Sequence, residues 1–209
     1  LSGKVVMPAS GKAKCVILVS HFTIGSNAEA PSNSFPLEGI LASLGYVLVF
    51  PDYLGYGITR DQTHPYLVLE QTARNEADML FAVMPFLQAA GVELEYPDGL
   101  MLSGYSQGGA NTMALLYYLE TNYPDRFYIH RVFAGGGRVL SDGPRQNRRG
   151  RLLCFAVRSR GGDRFRDGQV GVVATRRLVA VRTAAQAVGI SVIARRQGGD
   201  PADRWIRRI

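Results

Sequence analysis

The stretch Gly99-Leu100-Met101-Leu102-Ser103-Gly104-Tyr105-Ser106-Gln107-Gly108-Gly109-Ala110 joins a short apolar run to a longer helical pattern. The apolar run at 99–103 has the length and composition of a strand that is buried on both faces. The pattern at 106–123 has apolar residues at helical spacing and stops before a proline. The glycines at positions 104, 108 and 109 would let strand and helix approach closely. The stretch therefore predicts a strand, a tight turn with Ser106 at its tip, and a helix.

Further strands and helices are expected on both sides of this turn. Strand candidates lie at 4–7, 15–20, 46–50 and 129–134. Helix candidates lie at 35–44, which Gly45 would end, and at 67–90, which Gly91 would end and Pro85 should kink or interrupt. This alternation predicts an α/β fold with a mostly parallel sheet and helices on both faces.

The composition changes abruptly near residue 135. Residues 1–134 hold seven Lys and Arg against twelve Asp and Glu, whereas residues 135–209 hold seventeen Arg, no Lys and five Asp. Beyond 137 the apolar content is too low to complete a large core. Only 172–173 and 190–194 resemble strands there, and only 175–188 resembles a helix. Two parts are therefore predicted: a core at 1–137 and an Arg-rich tail at 138–209 that is incomplete or aberrant, through a frameshift or disorder.

Ser106 has the setting of a catalytic nucleophile. A serine at a strand-to-helix turn carries an exposed hydroxyl group on a strained backbone, and the helix N-terminus favours developing negative charge. The pattern Gly-x-Ser-x-Gly is weak alone, but the strand before it and the helix after it make it specific. The alternative is a glycine-rich turn with an incidental serine.

An oxyanion hole would need two backbone N–H groups beside that serine. One would come from Gln107, and the other from the loop that begins at His21, with Phe22 the first choice and Thr23 the second. The alternative, that His21 only ends its strand and the loop only shapes a pocket, stays open at this point.

The substrate pocket would lie on the same side of the sheet. Residues 51–57 follow a predicted strand, so they would reach that side if the sheet is parallel. Tyr53 and Tyr56, together with Tyr105 beside the nucleophile, are the candidate pocket residues. Asp52 is expected to form the turn, which is the commoner use of Asp in such a loop.

Residues 1–134 resemble the bacterial α/β-hydrolases related to the secretory lipases and esterases. The resemblance rests on SGKVV at 2–6, YVLVFPDYLGYG at 46–57, HPYL at 64–67, GYSQGG at 104–109 and VFAGGG at 132–137. It implies an α/β-hydrolase fold, hydrolysis of a carboxylic ester through an acyl-enzyme on Ser106, and a triad in the order Ser, Asp, His.

The triad cannot be completed from this sequence. The resemblance places the base after the nucleophile, yet no histidine follows His130, which opens a predicted buried strand. His64 precedes the nucleophile and is expected to be structural. Acids without a matching motif are Asp142, Asp163, Asp167, Asp200 and Asp203. Without a base only a small acceleration remains, so the chain is predicted to be an impaired esterase.

Three hypotheses address the tail and the missing base. Seventeen Arg without Lys, Glu, Tyr or His after residue 137 are typical of a GC-rich gene translated in the wrong frame. Reading the other two frames for strands, an Asp and a late His would test this. Alternatively, a non-catalytic hydrolase-fold protein could bind nucleic acid or an anionic surface through Arg pairs such as Arg148-Arg149. A third reading is a non-catalytic binding protein of the same fold.

The remaining expectations concern ligands and location. No metal or organic cofactor is expected, since no His, Cys and Asp cluster has ligand spacing. The expected partner is a small-molecule ester or lipid with an apolar acyl or aryl group; no specific nucleic acid is expected, and no apolar run is long enough to span a bilayer. Any signal peptide is expected to be absent or removed, and the resemblance is compatible with a secreted or periplasmic location. Cys15 reads as a buried thiol, and a disulfide to Cys154 stays open.

Overall fold

A computed structural model describes residues 1–137, 155–157, 187–196 and 205–207. The strands of its main sheet are β1 (Ser2–Pro8), β3 (Val16–Ser20), β4 (Val47–Pro51), β6 (Gly99–Tyr105), β7 (Tyr128–Gly135), β8 (Phe155–Val157), β9 (Ala187–Arg196) and β10 (Trp205–Arg207). Two short strands, β2 (Lys12–Ala13) and β5 (Glu93–Leu94), pair separately. Within the described residues the main sheet has the order β10-β9-β1-β4-β3-β6-β7-β8.

The centre of the sheet is parallel and its flanks are antiparallel. Strands β4, β3, β6 and β7 run parallel, and Leu18 of β3 pairs with Val49 on one side and with Leu102 on the other. Strand β1 is antiparallel to β4 and to β9, and β8 is antiparallel to β7. The expectation of a parallel sheet is confirmed for the four strands that carry the candidate site. The five continuous apolar runs of residues 1–137 form β1, β3, β4, β6 and β7.

Helices cover both faces of the sheet, as predicted. The α-helices α1 (Leu69–Ala89) and α2 (Gln107–Asn122) pack together on one face, where Val16 and Leu18 point. The neighbouring side chains Ile17 and Val19 point to the opposite face, which the 3-10 helix Leu37–Leu44 covers. Since β-strand side chains alternate between faces, one short apolar run serves both layers of the core.

Two helix predictions need correction. The segment predicted as a helix at 35–44 is the 3-10 helix Leu37–Leu44, which buries only Gly39 and Ala42, so little packing supports a longer α-helical ladder. Gly45 ends it as predicted, with a left-handed φ of 86°. Helix α1 runs through Pro85, so the predicted interruption is wrong, whereas a kink at Pro85 stays a prediction. Pro85 lies near the end of α1, where few hydrogen bonds follow it.

The tail predictions fall partly outside the described residues. The predicted strand at 190–194 lies within β9, whereas 172–173 and most of the predicted helix 175–188 are outside. Its last two residues, Ala187 and Val188, instead pair with Pro8 and Met7 of β1, so the helix prediction is wrong there. Cys15 is buried, while Cys154 is outside the described residues. In the part of the chain that the structure describes, no helix is both long and apolar enough to cross a membrane.

Candidate active site

Ser106 occupies the turn between β6 and α2 in a strained conformation. Its φ of 55° and ψ of −120° lie in a region that residues with a Cβ atom rarely adopt. The turn is tied to the end of β7, because the Ser106 N–H group donates to the Gly135 carbonyl at 2.8 Å. The side chain is half-buried rather than enclosed. The turn therefore presents a serine hydroxyl group at the carboxyl edge of the parallel strands.

Glycines allow the elements around Ser106 to approach at backbone contact distance. A Cβ atom on Gly108 would lie 2.0 Å from the Ser20 carbonyl oxygen and 2.7 Å from that of His21. A Cβ atom on Gly104 would lie 2.3 Å from the Gly108 carbonyl oxygen. Such distances are far below van der Waals contact, so no other residue fits without movement. The first turn of α2 is thereby pressed against the end of β3 and the loop that begins at His21.

The loop after β3 is fixed by His21 and Tyr53. The His21 ring stacks on the Tyr53 ring with 3.8 Å between centroids, and the Tyr53 hydroxyl donates to the His21 carbonyl at 2.8 Å. The His21 Nδ1–H group donates to the Phe22 carbonyl at 2.7 Å. Burial lowers the pKa of His21 to about 4, so the ring is neutral near pH 7. Tyr53 is only 1% exposed and supports the loop from beneath.

His64 contacts the residue that follows the nucleophile. Its Nε2 atom lies 2.9 Å from the side-chain Nε2 atom of Gln107, and its Nδ1 atom lies 2.8 Å from the Leu54 carbonyl oxygen. A carbonyl oxygen only accepts, so His64 Nδ1 donates and His64 Nε2 accepts from the Gln107 amide. The contact between His64 and Gln107 was not predicted from the sequence, in which His64 precedes Ser106 by 42 positions. The one sequence feature that pointed to it was the HPYL stretch at 64–67.

Aromatic rings surround His64 at the edge of the site. Ring centroids of Tyr53, Tyr56 and Tyr66 lie 5.8, 5.0 and 6.1 Å from that of His64. The Tyr56 hydroxyl donates to the Ile24 carbonyl at 3.0 Å, which holds its ring against the loop after β3. On the other side of Ser106, Tyr105 is 55% exposed. Of the three predicted pocket tyrosines, Tyr56 and Tyr105 therefore have accessible surface, whereas Tyr53 lies below it.

Asp52 is buried away from Ser106 and joins separate segments of the chain by hydrogen bonds. The Ser2 hydroxyl donates to Asp52 Oδ2 at 2.5 Å, and the Ser32 N–H group donates to Asp52 Oδ1 at 3.0 Å. The same Ser2 oxygen accepts from the Ile58 N–H group at 3.0 Å. Asp52 thus ties the loop after β4 to β1 and to the loop after β3, so its carboxylate makes long-range bonds instead of the local turn bond that was expected.

The third histidine, His130, is at the opposite end of the sheet. Its ring packs on Tyr96 and Tyr128, and a Cβ atom on Gly99 would lie 2.6 Å from its Nε2 atom. Gly99 begins β6, whereas Ser106 follows the end of that strand. Among the described residues no histidine forms a hydrogen bond with the Ser106 hydroxyl group. Those residues also contain no group of three potential metal ligands.

Solved structures resemble the fold of part of this chain. The chain is similar to a candidate hydrolase from Legionella pneumophila, with 32% sequence identity and a TM-score of 0.54 over 61% of this chain and 35% of that chain. It is also similar to the rice cell wall degrading esterase LipA from Xanthomonas oryzae, with 32% identity and a TM-score of 0.50 over 57% and 32%. A single-residue variant of LipA gives 31% identity and a TM-score of 0.52 over 62% and 36%. No family model and no curated protein matches the chain.

The matched part is a lipase- and esterase-related segment of the α/β-hydrolase fold. The resemblance predicted from the five sequence stretches is thereby confirmed. The chain spans about a third of the length of the solved structures that it matches.

Proposed function

We propose that the chain carries the nucleophile of a carboxylic ester hydrolase, with Ser106 in that role. The observation that carries the proposal is the strained φ of Ser106 at a strand-to-helix turn, at the carboxyl edge of parallel strands. Strained residues cluster at sites where function compensates their cost, which is about 1–3 kcal/mol each. The hydrolase and esterase neighbours support the same reaction class.

The reaction would pass through an acyl-enzyme. The Ser106 oxygen attacks the ester carbonyl carbon, and the carbonyl oxygen becomes negatively charged. The N–H groups of Gln107 and Phe22 would donate to that oxyanion, since Gly108 brings the first turn of α2 against the loop that begins at His21. The alcohol leaves with the serine proton, and water then hydrolyses the acyl group.

The proton transfer is the weak step of this chain. A base must take the serine proton and return it to the leaving alcohol. His64 is held between Leu54 and Gln107, and His130 lies at the opposite end of the sheet. Since neither His64 nor His130 forms a hydrogen bond with the Ser106 hydroxyl group within the described residues, turnover is proposed to be slow, while the oxyanion hole still accelerates acylation by reactive reagents.

The substrate would be an ester with an apolar or aryl group. We expect the substrate surface to be lined by Tyr56 and Tyr66, whose rings pack on His64, and by Phe22 and Tyr105, which are 52% and 55% exposed. Aromatic side chains supply large apolar contact area with a polar edge. This aromatic surface suits a flat or apolar acyl group better than a charged one.

Active-site labelling tests the nucleophile. A fluorophosphonate probe should label the full chain, should fail to label Ser106→Ala, and should still label Ser43→Ala, whose serine is half-buried on the 3-10 helix Leu37–Leu44. Intact-mass spectrometry and peptide mapping would locate the adduct. Equal labelling of wild type and Ser106→Ala, or no labelling of wild type, would remove Ser106 from the mechanism.

A further inference from the structure

A cluster of buried polar side chains lies behind the turn that carries Ser106. Ser20, Glu76, Asn111 and Thr112, here called the buried polar cluster, are each at most 1% exposed. Their side-chain polar atoms have no partner with full hydrogen-bond geometry in the described part of the chain. Each such buried group costs about 1–3 kcal/mol, so four together need an explanation.

The buried polar cluster connects the elements that shape the candidate oxyanion hole. Ser20 is the last residue of β3 and directly precedes the loop that contains Phe22. Asn111 and Thr112 belong to the N-terminal part of α2, which begins at Gln107. Glu76 lies in the middle of α1, which packs against α2. The Glu76 carboxyl group therefore faces the segments that carry the two expected N–H donors, Phe22 and Gln107.

Electrostatics tie the members of the buried polar cluster together. Burial raises the pKa of Glu76 to about 8, and the Ser20 hydroxyl opposes that rise in pKa. Burial and then Glu76 raise the pKa of Tyr53, whereas Asn111 and Ser20 lower it. The Tyr53 hydroxyl in turn holds the His21 carbonyl at 2.8 Å. These pKa directions agree with Glu76 and Tyr53 lying near Ser20, and with Tyr53 lying near Asn111.

The carboxyl group of Glu76 is suited to hold neighbouring polar groups in its neutral form rather than to act as a charge. A protonated carboxyl group donates one hydrogen bond and accepts others, so it can bridge a hydroxyl group and an amide. Its neighbours on the same helix, Ala73, Ala77 and Leu80, are apolar and buried. Around it, the facing groups that can titrate or hydrogen-bond are Tyr53 from the loop after β4 and Ser20 from β3, and Tyr53 in turn faces Asn111 from α2. None of these is charged near pH 7.

We propose that Glu76 is a positioning residue, which acts through Ser20, Asn111 and Tyr53 to hold the loop at 21–23 against the first turn of α2. The inference rests on the proposed function in one respect, namely that the distance between the loop at 21–23 and the first turn of α2 sets the oxyanion hole. The geometric part, that Glu76 orders the two segments, stands without it.

Two variants separate a positioning role from simple filling of the core. Glu76→Gln keeps the size and the hydrogen-bonding capacity of the neutral acid. Glu76→Met keeps the volume and removes that capacity, which leaves Ser20 and Tyr53 without their polar neighbour. Both variants are made in the full chain, and circular dichroism checks that each is folded. Asn111→Leu, which removes the opposite partner, serves as a second test if Glu76→Met does not fold.

Hydrogen exchange at pH 7 measures the ordering directly. The backbone amides of Ser106, Gly109 and Ala110, which donate to the Gly135 and Ser106 carbonyls, should exchange about tenfold faster in Glu76→Met than in wild type, while Glu76→Gln stays within about twofold. Amides of α1 at 86–89, away from Glu76, are the internal control and should not change. Wild-type exchange in Glu76→Met, or equally fast exchange in both variants, would overturn the proposal.

Labelling of Ser106 connects this ordering to the proposed chemistry. The second-order rate constant for a fluorophosphonate should fall about tenfold in Glu76→Met and be restored in Glu76→Gln, because small displacements of an oxyanion hole are costly. If wild type is not labelled, the proposed function fails, and hydrogen exchange still decides the role of Glu76. If labelling is normal in Glu76→Met although exchange has changed, Glu76 orders the segments without setting the oxyanion hole, and its role in positioning that hole is refuted.

Discussion

Two buried groups should make the stability of this protein depend on pH in opposite ways. Burial raises the pKa of Glu76 from 4.5 to about 8. Burial also lowers the pKa of His21 from 6.5 to about 4, against smaller opposing effects of the Phe22 carbonyl and Asp52. Both groups are held in their neutral form by the same cause, which is the loss of water around a charge. Their pH windows overlap, so we expect urea unfolding to separate the two contributions when one group at a time is replaced.

The signs follow from which state binds the proton more tightly. For Glu76 the folded state holds a proton that the unfolded state releases, so its contribution to stability is complete below pH 4.5 and is lost as pH rises towards 8. For His21 the folded state resists protonation, so its contribution is complete above pH 6.5 and is lost as pH falls towards 4.

The magnitudes follow from the same linkage. Each group changes the free energy of unfolding by about 1.4 kcal/mol per pH unit within its window. Between pH 4.5 and 6.5 the two slopes cancel, whereas from pH 6.5 to 8 only the Glu76 slope remains. The contribution of the pair therefore falls by about 2 kcal/mol over the upper window.

Urea unfolding of wild type and two variants, followed by circular dichroism at pH 5, 6.5 and 8, tests this expectation. Glu76→Gln cannot titrate, so its stability relative to wild type should rise by about 2 kcal/mol between pH 6.5 and 8. His21→Phe keeps a ring on Tyr53 but cannot titrate, so its stability should fall from pH 5 onwards. Other groups, such as Glu120, whose pKa burial raises, cancel in the differences. Parallel curves for wild type and Glu76→Gln would refute the reasoning.

Further predictions concern the packing and polar contacts of the turn. Gly108→Ala would place a Cβ atom 2.0 Å from a backbone oxygen of β3 and should lower the free energy of unfolding in urea by about 2–3 kcal/mol. The control Gly25→Ala, whose Cβ atom would have its nearest contact at 3.7 Å, should stay within about 0.5 kcal/mol, and equal effects would contradict the packing argument. His64→Ala and Gln107→Ala should each slow fluorophosphonate labelling, and the double variant should be no slower than the slower single variant, because one hydrogen bond of 2.9 Å joins them. Additive losses in the labelling rate constants would show that the two side chains act independently.

The sequence by itself determined the features that depend on short, continuous stretches of residues. The five apolar runs of residues 1–137 become strands, and the glycine-flanked Ser106 becomes a strained turn between β6 and α2. Hydrophobic periodicity and glycine placement act over a few neighbouring residues, so one chain segment is enough to read them.

Only the tertiary structure decided which distant side chains meet. His64 reaches Gln107 across 43 positions, and Glu76 of α1 faces Ser20 of β3. Neither pair has a sequence signature, because helix packing and loop course bring the partners together. Packing also decided against local pattern at Ala187, which pairs with β1 instead of continuing a helix. Local propensity is weak compared with burial and strand pairing, so the support of the site became visible only once the sheet and helices were assembled.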